Sequence, residues 1–121
     1  MKKLYNINKI FLFLYWGLLS YMLLRPSSSL TSNIFFFTGV DKLVHFLIFA
    51  LLAFLYERVF PKQKRKISFF LMILYAIFTE VAQEMMPFGR SGEIGDLFAD
   101  ILGIFFGYYT LIVYNYINKS K

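Results

Sequence analysis

The sequence predicts an all-α fold, an integral membrane bundle of four helices, and three observations support it. Of the 121 residues, 59% are hydrophobic and 21% aromatic, with a mean hydropathy of +0.60. A soluble domain of this length is usually nearer half apolar. Four stretches approach the roughly 20 apolar residues that a helix needs to cross a bilayer. No Gly- or Asn-centred hairpin signals separate alternating strands, and helices satisfy their own backbone polar groups inside lipid.

The expected architecture is one domain over residues 1–121, with helical segments 1 to 4 at about residues 8–24, 41–60, 67–86 and 96–117. Segment 1 contains "IFLFLYWGLLSYMLL", which carries no charge. Pro26, Pro61 and Pro87 follow the first three segments, as is typical of helix ends. Asp41 and Asp96 begin segments 2 and 4, where a carboxylate can cap the free N–H groups of the first turn.

Segment 1 has a second interpretation as a cleaved signal peptide, because Lys2 and Lys3 give it a basic start. Its apolar run ends in "LLRPSSS", without a small-x-small cleavage site directly after it. A retained helix is therefore the favoured interpretation.

The basic residues indicate the orientation in the membrane. If the N-terminus lies inside, three basic residues face outside: Arg25, Lys42 and Arg90. Ten face inside: Lys2, Lys3, Lys9, Arg58, Lys62, Lys64, Arg65, Lys66, Lys119 and Lys121. Cytoplasmic loops are enriched in Lys and Arg, so both termini are predicted to be cytoplasmic. The net charge of +6 is thus explained by membrane topology, and no nucleic-acid partner is expected.

The acidic residues collect on the opposite, outer side. Only Glu57 lies on the inner side; the outer acids are Asp41, Glu80, Glu84, Glu93, Asp96 and Asp100. The single histidine, His45, is on the outer side too. Ionisable groups at membrane depth are costly and usually face the bundle interior and pair.

The motifs "DKLVH" and "DLFAD" place polar residues at i and i+4, on one face of each helix. The upper residues, Asp41 and Asp96, can be explained as caps. The lower ones, His45 and Asp100, lie about 6 Å deeper, where capping does not explain them. Glu80 lies about 10 Å inward from the proline that ends segment 3, and is the deepest predicted charge.

Two interpretations of this polar group remain open. Arg90 could pair with Glu80 or Asp100 and clamp the outer connection without any chemistry. Alternatively, the excess of acids over Arg90, His45 and Lys42 indicates a titratable site. We expect His45 to pair with Asp41 or with an acid of segment 4, and a purely structural histidine is equally compatible with the pattern.

Segment 4 also contains "GIFFG", a small-xxx-small spacing formed by Gly103 and Gly107. Small residues at this spacing let another helix approach closely. A tight contact with segment 2 or 3 is the preferred interpretation, and dimerisation is the alternative.

Together these motifs resemble the VanZ-like family of small membrane proteins over about residues 41 to 108. The resemblance is carried by Asp41-Lys42-x-x-His45, Glu80-x-x-Gln83, Arg90, Asp96, Gly103 and Gly107. It implies a four-helix protein of the bacterial inner membrane with the polar cluster at its centre. The family is named for a protein linked to teicoplanin resistance. Asp100 stands where the family commonly has Asn, which argues against a role that needs a neutral amide.

The first functional hypothesis is an enzyme that acts on a lipid or lipid-linked head group at the outer leaflet. His45 would be acid, base or nucleophile, Asp41 or Asp96 would orient it, and Arg90 would hold an anion. Glu80 is the second catalytic candidate. His45, Glu80 and Asp100 could together hold a divalent metal, although their spacing matches no established metal motif and no metal is assigned. The lack of Cys and of G-x-S-x-G disfavours thiol and elbow-serine hydrolysis.

The second hypothesis is a protein that binds an anionic envelope ligand without turnover, with Arg90 and Lys42 supplying the attraction. The third is a transporter with Glu80 as a proton site, which four helices without an internal repeat disfavour. The candidate binding residues are Asp41, Lys42, His45, Glu80, Gln83, Arg90, Asp96 and Asp100. Membrane lipids are the expected surroundings, and an oligomer remains open.

Overall fold

A computed structural model describes residues 2–25, 39–86 and 92–119, and over these residues the chain is helical and without strands. The helices are α1 (Lys2–Leu24), α2 (Val40–Val59), α3 (Arg65–Glu84) and α4 (Ile94–Lys119). The four predicted helices are therefore confirmed, and the main difference is that α1 begins well before residue 8.

The tightest packing in the bundle joins α2 and α4, which run parallel. A Cβ atom added to Gly103 would overlap the carbonyl oxygen of Phe46, and one added to Gly107 would overlap that of Ala50. Only glycine allows the two backbones to approach so closely. The predicted intramolecular contact of this small-residue pair is thus confirmed, with segment 2 as the partner. This register sets the first turns of α2 and α4 side by side.

Helix α1 is attached to the bundle by polar and aromatic contacts of its central turns. The Tyr15 hydroxyl donates to the carbonyl of Ile48 at 2.8 Å, and Trp16 packs edge-on against Tyr56 and Tyr75. Such aromatic pairs stabilise packing beyond their buried area. Trp16 therefore links α1 to both α2 and α3. The fully buried core beside it contains Leu12, Phe49, Leu52, Met72, Ala76 and Ile104.

Within the described residues, three helices are long and apolar enough to span a membrane: α1, α3 and α4. Only 17% of the α1 span and 33% of each of the other two are buried inside the bundle, so most of their apolar surface faces outward. Exposed side chains such as Phe13, Phe78 and Phe106 form more apolar surface than a soluble protein leaves uncovered. An apolar surface of this extent is stable in contact with lipid and unfavourable in contact with water.

Helix α2 is not among these three, and it carries four charged residues: Asp41 and Lys42 at its start, and Glu57 and Arg58 at its end. The run between Lys42 and Glu57 is about 21 Å long by helical rise, shorter than the hydrocarbon core of about 30 Å. The helix buries His45, Phe49, Ala50, Leu52, Ala53, Tyr56, Glu57 and Val59. It contacts each of the other three helices, and in this central position its His45 and Glu57 are buried.

The capping roles predicted for Asp41 and Asp96 are wrong. The N-cap of α2 is Gly39, which has φ 104° and no side chain to offer, so Asp41 already lies inside the first turn. Helix α4 begins at Ile94, and Asp96 is likewise inside its first turn. Both helices start earlier than the aspartates suggested, which leaves these carboxylates free for other contacts.

Candidate functional site

One end of the bundle, which we call the polar end, is formed by the starts of α2 and α4 and the last turns of α3. The acids on these turns are Asp41, Glu80, Glu84, Asp96 and Asp100, and Glu93 immediately precedes α4. Glu57 lies at the other end, where its Oε1 is 3.4 Å from Nε of Arg65. The separation of the acids that the sequence predicted is therefore present in the fold.

His45, Glu80 and Asp100 form the centre of the polar end, and we call them the buried triad. Nδ1 of His45 lies 2.9 Å from Oδ1 of Asp100, at hydrogen-bond distance, and 3.7 Å from Oε1 of Glu80. The exposed fractions of the three residues are 4%, 7% and 0%. One imidazole from α2 is thus shared between a carboxylate of α4 and a carboxylate of α3, away from solvent.

Two carboxylate oxygen atoms of the buried triad have no hydrogen-bond partner within the described part of the chain. Oε1 of Glu80 and Oδ2 of Asp100 are buried and have no hydrogen-bond partner among residues 2–25, 39–86 and 92–119. Burying a carboxylate oxygen without a partner costs free energy. A group that carries a proton or a positive charge would relieve this cost, so the triad is chemically suited to take one up.

Asp41 and Asp96, in the first turns of α2 and α4, lie near the same imidazole. Ligand atoms of Asp41, His45 and Asp96 lie within 4.8 Å of one another, as do those of the buried triad. Asp96 is 3% exposed, whereas Asp41 is open to solvent. His45 therefore has a carboxylate on its own helix, one on α3 and two on α4 around it.

Lys42 ties the start of α2 to the start of α4. Its Nζ atom lies 2.8 Å from Oε2 of Glu93 and 3.2 Å from Oδ1 of Asp96. The hydrogen bond from Lys42 lowers the pKa of the Glu93 carboxyl. A Cβ added to Gly95 would lie 2.6 Å from Cε of Lys42, so glycine makes room for the lysine stem. Lys42 and Glu93 are both about half exposed, and their contact is a surface strap.

The last turn of α3 holds the backbone that leads into α4. The amide of Glu93 donates to Oε2 of Glu80 at 3.0 Å, and the amide of Gly92 donates to Oε2 of Glu84 at 2.9 Å. A Cβ on Gly92 would lie 2.6 Å from the carbonyl oxygen of Glu80. Gly92, Glu84 and Glu93 were not among the predicted site residues. Two sequence features could have identified these residues: the i, i+4 spacing of Glu80 and Glu84, and the stretch "SGEIGD" that follows them.

Gln83 is the predicted site residue that the fold places elsewhere. Its Nε2 atom donates to the carbonyl oxygen of Leu23 at 3.0 Å, and its side chain is buried. This bond ties the end of α3 to the end of α1. Gln83 therefore joins helices, and its contact does not include the buried triad.

The orienting carboxylate expected for His45 was Asp41 or Asp96, and this part of the hypothesis is wrong. The hydrogen bond goes to Asp100, one turn deeper on α4. The broader expectation, an acid of segment 4, is met. Arg90 lies outside the described residues, so its predicted pairing with Glu80 or Asp100 stays a prediction.

The arrangement supports two kinds of chemistry. A His–Asp pair can accept a proton from water or a hydroxyl group, because the carboxylate stabilises the resulting imidazolium. An imidazole with two carboxylates can also ligate a divalent cation. For either use, a ligand must reach the buried triad from the polar end. The half-exposed strap of Lys42 and Glu93 lies beside this route.

Comparison with known proteins supports the family suggested by the motifs. The model of the VanZ/LLP1 family matches residues 25–115, which include α2, α3, most of α4 and the whole polar end. No curated protein and no solved structure matches the chain. Because the family match covers well over half of the sequence, the chain belongs to the VanZ/LLP1 family.

Proposed function

We propose that this chain is a multi-pass protein of the bacterial inner membrane that recognises or modifies an anionic envelope component, such as a lipid-linked head group. The ligand enters at the polar end, which faces outward when both termini are cytoplasmic. The observation that carries the proposal is the buried imidazole of His45, which Asp100 and Glu80 flank at 2.9 and 3.7 Å. Burial of titratable groups at such distances is characteristic of functional sites.

Several contacts that hold the fold are separate from the triad, and this supports the proposal. Gln83 joins α3 to α1, Glu84 holds Gly92, and Lys42 straps α2 to α4. A bundle with these links and the close glycine contacts does not need a buried histidine. Buried ionic groups contribute little net stability compared with well-packed apolar side chains, so a role beyond packing accounts for them better.

In the catalytic form of the proposal, His45 is the general base. Its Nδ1 already contacts Asp100, and this carboxylate orients the ring and stabilises its protonated form. Arg90, in the connection before α4, supplies the charge that holds the anionic head group, for which its planar guanidinium is suited. Without a reaction, the same residues serve recognition alone.

The alternative is a non-catalytic membrane protein whose polar cluster is a helix clamp. A specific observation favours it: Glu80 uses Oε2 to hold the amide of Glu93 while Oε1 faces His45. One side chain thus connects α3 to both α2 and the start of α4. In this account the unpartnered carboxylate oxygens of the triad lower the free energy of unfolding, and the other contacts of the bundle compensate for this loss.

Binding of a polyprenyl phosphate to the purified protein in detergent separates the two accounts. We expect saturable binding to wild type and a loss of about tenfold or more in Arg90→Ala, since a charge-assisted hydrogen bond is removed. Lys62→Ala, an exposed position at the other end of the bundle, is the matched control and should bind as wild type does. Equal binding by wild type and Arg90→Ala, or none at all by wild type, would contradict the proposal.

A further inference from the structure

We propose that the buried triad of His45, Glu80 and Asp100 is a binding site for one divalent transition-metal ion, of the Mn²⁺ or Zn²⁺ type. The inference goes beyond the proposed function, because ion binding at the triad requires no lipid ligand.

The positions of the donor atoms fit a common ion. Ligands held about 2.0–2.2 Å from one metal lie roughly 2.8–3.6 Å from their neighbours in octahedral or tetrahedral geometry. Nδ1 of His45 lies 2.9 Å from Oδ1 of Asp100 and 3.7 Å from Oε1 of Glu80. One ligand atom from each of the three residues lies within 4.8 Å of the other two. The two pairs that include His45 are therefore within a few tenths of an ångström of the spacing that one ion requires, and the oxygens of Glu80 and Asp100 are no more than 4.8 Å apart.

The unsatisfied oxygens are a second, independent observation that indicates a ligand. Oε1 of Glu80 and Oδ2 of Asp100 are both buried and lack a partner within the described part of the chain. An ion would give each carboxylate a positive neighbour, and the buried residues around it would exclude competing water. The other end of the bundle also has unsatisfied atoms, on Glu57, Ser68 and Tyr108, but these include one acid and no histidine.

The ligands are held by groups outside the site, as is usual for metal centres. Oε2 of Glu80 accepts the amide of Glu93 at 3.0 Å, which fixes the carboxylate and leaves Oε1 directed at His45. His45 and Asp100 are held at their register by the contact of Gly103 with Phe46. The site is therefore largely formed before an ion arrives.

The mixture of donors selects the kind of ion. Carboxylate oxygens suit Mg²⁺, Ca²⁺ and Mn²⁺, whereas imidazole nitrogen suits Zn²⁺ and other transition metals. One histidine with two carboxylates therefore favours Mn²⁺ and Zn²⁺ over Mg²⁺ and Ca²⁺. The three protein ligands leave further coordination positions open, and an ion there makes the acid-rich polar end attractive to a phosphate oxygen.

Protons compete with the ion for this site. Nδ1 of His45 shares a proton with Asp100 in their hydrogen bond, and it must give up that proton to donate its lone pair to a metal. Among the described residues, the ionisable groups that face His45 are Asp41 on α2, Glu80 on α3, and Asp96 and Asp100 on α4. These four are acids, and a negative charge near the imidazole favours binding of a proton and binding of the ion alike. Apparent affinity for the ion therefore falls as the pH is lowered.

The test is a titration of the full chain in detergent, stripped with a chelator, with Mn²⁺ followed by electron paramagnetic resonance and Zn²⁺ by calorimetry. We expect one site per chain and a loss of about tenfold or more in affinity in Asp100→Asn and in His45→Gln. Glu57→Gln, which changes a buried acid at the other end, is the matched control and should bind as wild type does. No saturable binding to wild type overturns the proposal without any variant, and so does unchanged affinity in folded Asp100→Asn.

Adding a polyprenyl phosphate to the same samples distinguishes this inference from the proposed function. Binding of Mn²⁺ at the triad without binding of the lipid phosphate supports the ion site and contradicts lipid recognition. Lipid binding by a protein that takes up neither ion contradicts the ion site and supports lipid recognition. Lipid binding that is lost on chelation and restored by Mn²⁺ supports both.

Discussion

His45 on α2 and Asp100 on α4 meet at 2.9 Å in the interior of the polar end, although 55 positions separate them in the chain. The contact follows from the packing of two parallel helices whose backbones touch at Gly103 and Phe46. Glycine at one position of α4 thus determines which carboxylate reaches the histidine. This relationship connects the packing of the bundle to the chemistry of the site.

The first prediction concerns this packing. In Gly103→Ala, the new Cβ would meet the backbone carbonyl of Phe46, which cannot move aside as a side chain could. We expect the free energy of unfolding to fall by about 1–3 kcal/mol, the usual cost of overpacking. Gly17→Ala in α1 is the control, because nothing lies within 4 Å of the added Cβ. Thermal unfolding in detergent measures both, and equal stability of the two variants would refute the close contact.

The sequence predicted most of the fold because its signals there are local. Apolar length identified four helices, and the spacing of Gly103 and Gly107 identified a close helix contact. The i, i+4 spacing identified His45 and Asp100 as a deeper pair than Asp41 and Asp96. These features depend on helical periodicity, which can be read along one segment at a time.

The remaining features depend on contacts between distant segments and could not be predicted in the same way. Gln83 looked like a site residue, but its partner is the carbonyl of Leu23, 60 positions away. Asp41 was expected to be the N-cap of α2, but Gly39, which has a positive φ, occupies that position. The packing role of Trp16 depends on Tyr56 and Tyr75, which lie on other helices.

The second prediction concerns the surface strap. The hydrogen bond from Lys42 lowers the pKa of Glu93, so the strap stabilises the fold above the ordinary pKa of a glutamate. This contribution is lost as the pH falls through the lowered value. In Lys42→Met, we expect the pKa of Glu93, followed by carboxyl ¹³C NMR, to rise towards its ordinary value. Lys62→Met should leave it unchanged, and an unaltered Glu93 titration in Lys42→Met would exclude the strap.

The third prediction is the orientation of the chain. Both termini and the 60–64 connection should be cytoplasmic, and the polar end should face outward, because ten of the thirteen basic residues then lie inside. Single cysteines at Ser28 and Gln63 can be tested with an impermeant thiol reagent in intact cells. We expect labelling of Ser28→Cys alone. Labelling of Gln63→Cys alone would show that the orientation is reversed.

The fourth prediction separates catalysis from recognition. If His45 is the general base, both His45→Gln and Arg90→Lys should abolish turnover of a lipid-linked substrate, because each removes a group that the reaction needs. If the site only binds, His45→Gln should retain more affinity than Arg90→Lys, since a monodentate lysine replaces the planar fork. Turnover that survives in His45→Gln would rule out the catalytic role, and binding that survives in Arg90→Lys would rule out bidentate recognition.

The central claim is that the polar end, with His45 at its centre, is the place where an anionic lipid head group binds. The most direct measurement is photo-crosslinking with a polyprenyl phosphate that carries a diazirine beside the phosphate, followed by mass spectrometry of the labelled peptides. The account predicts labels near the starts of α2 and α4, at residues 39–46 and 92–100, which unlabelled lipid phosphate competes away and phosphatidylcholine does not. Labels spread over lipid-facing side chains such as Phe13 and Phe78, and unaffected by the competitor, would contradict it.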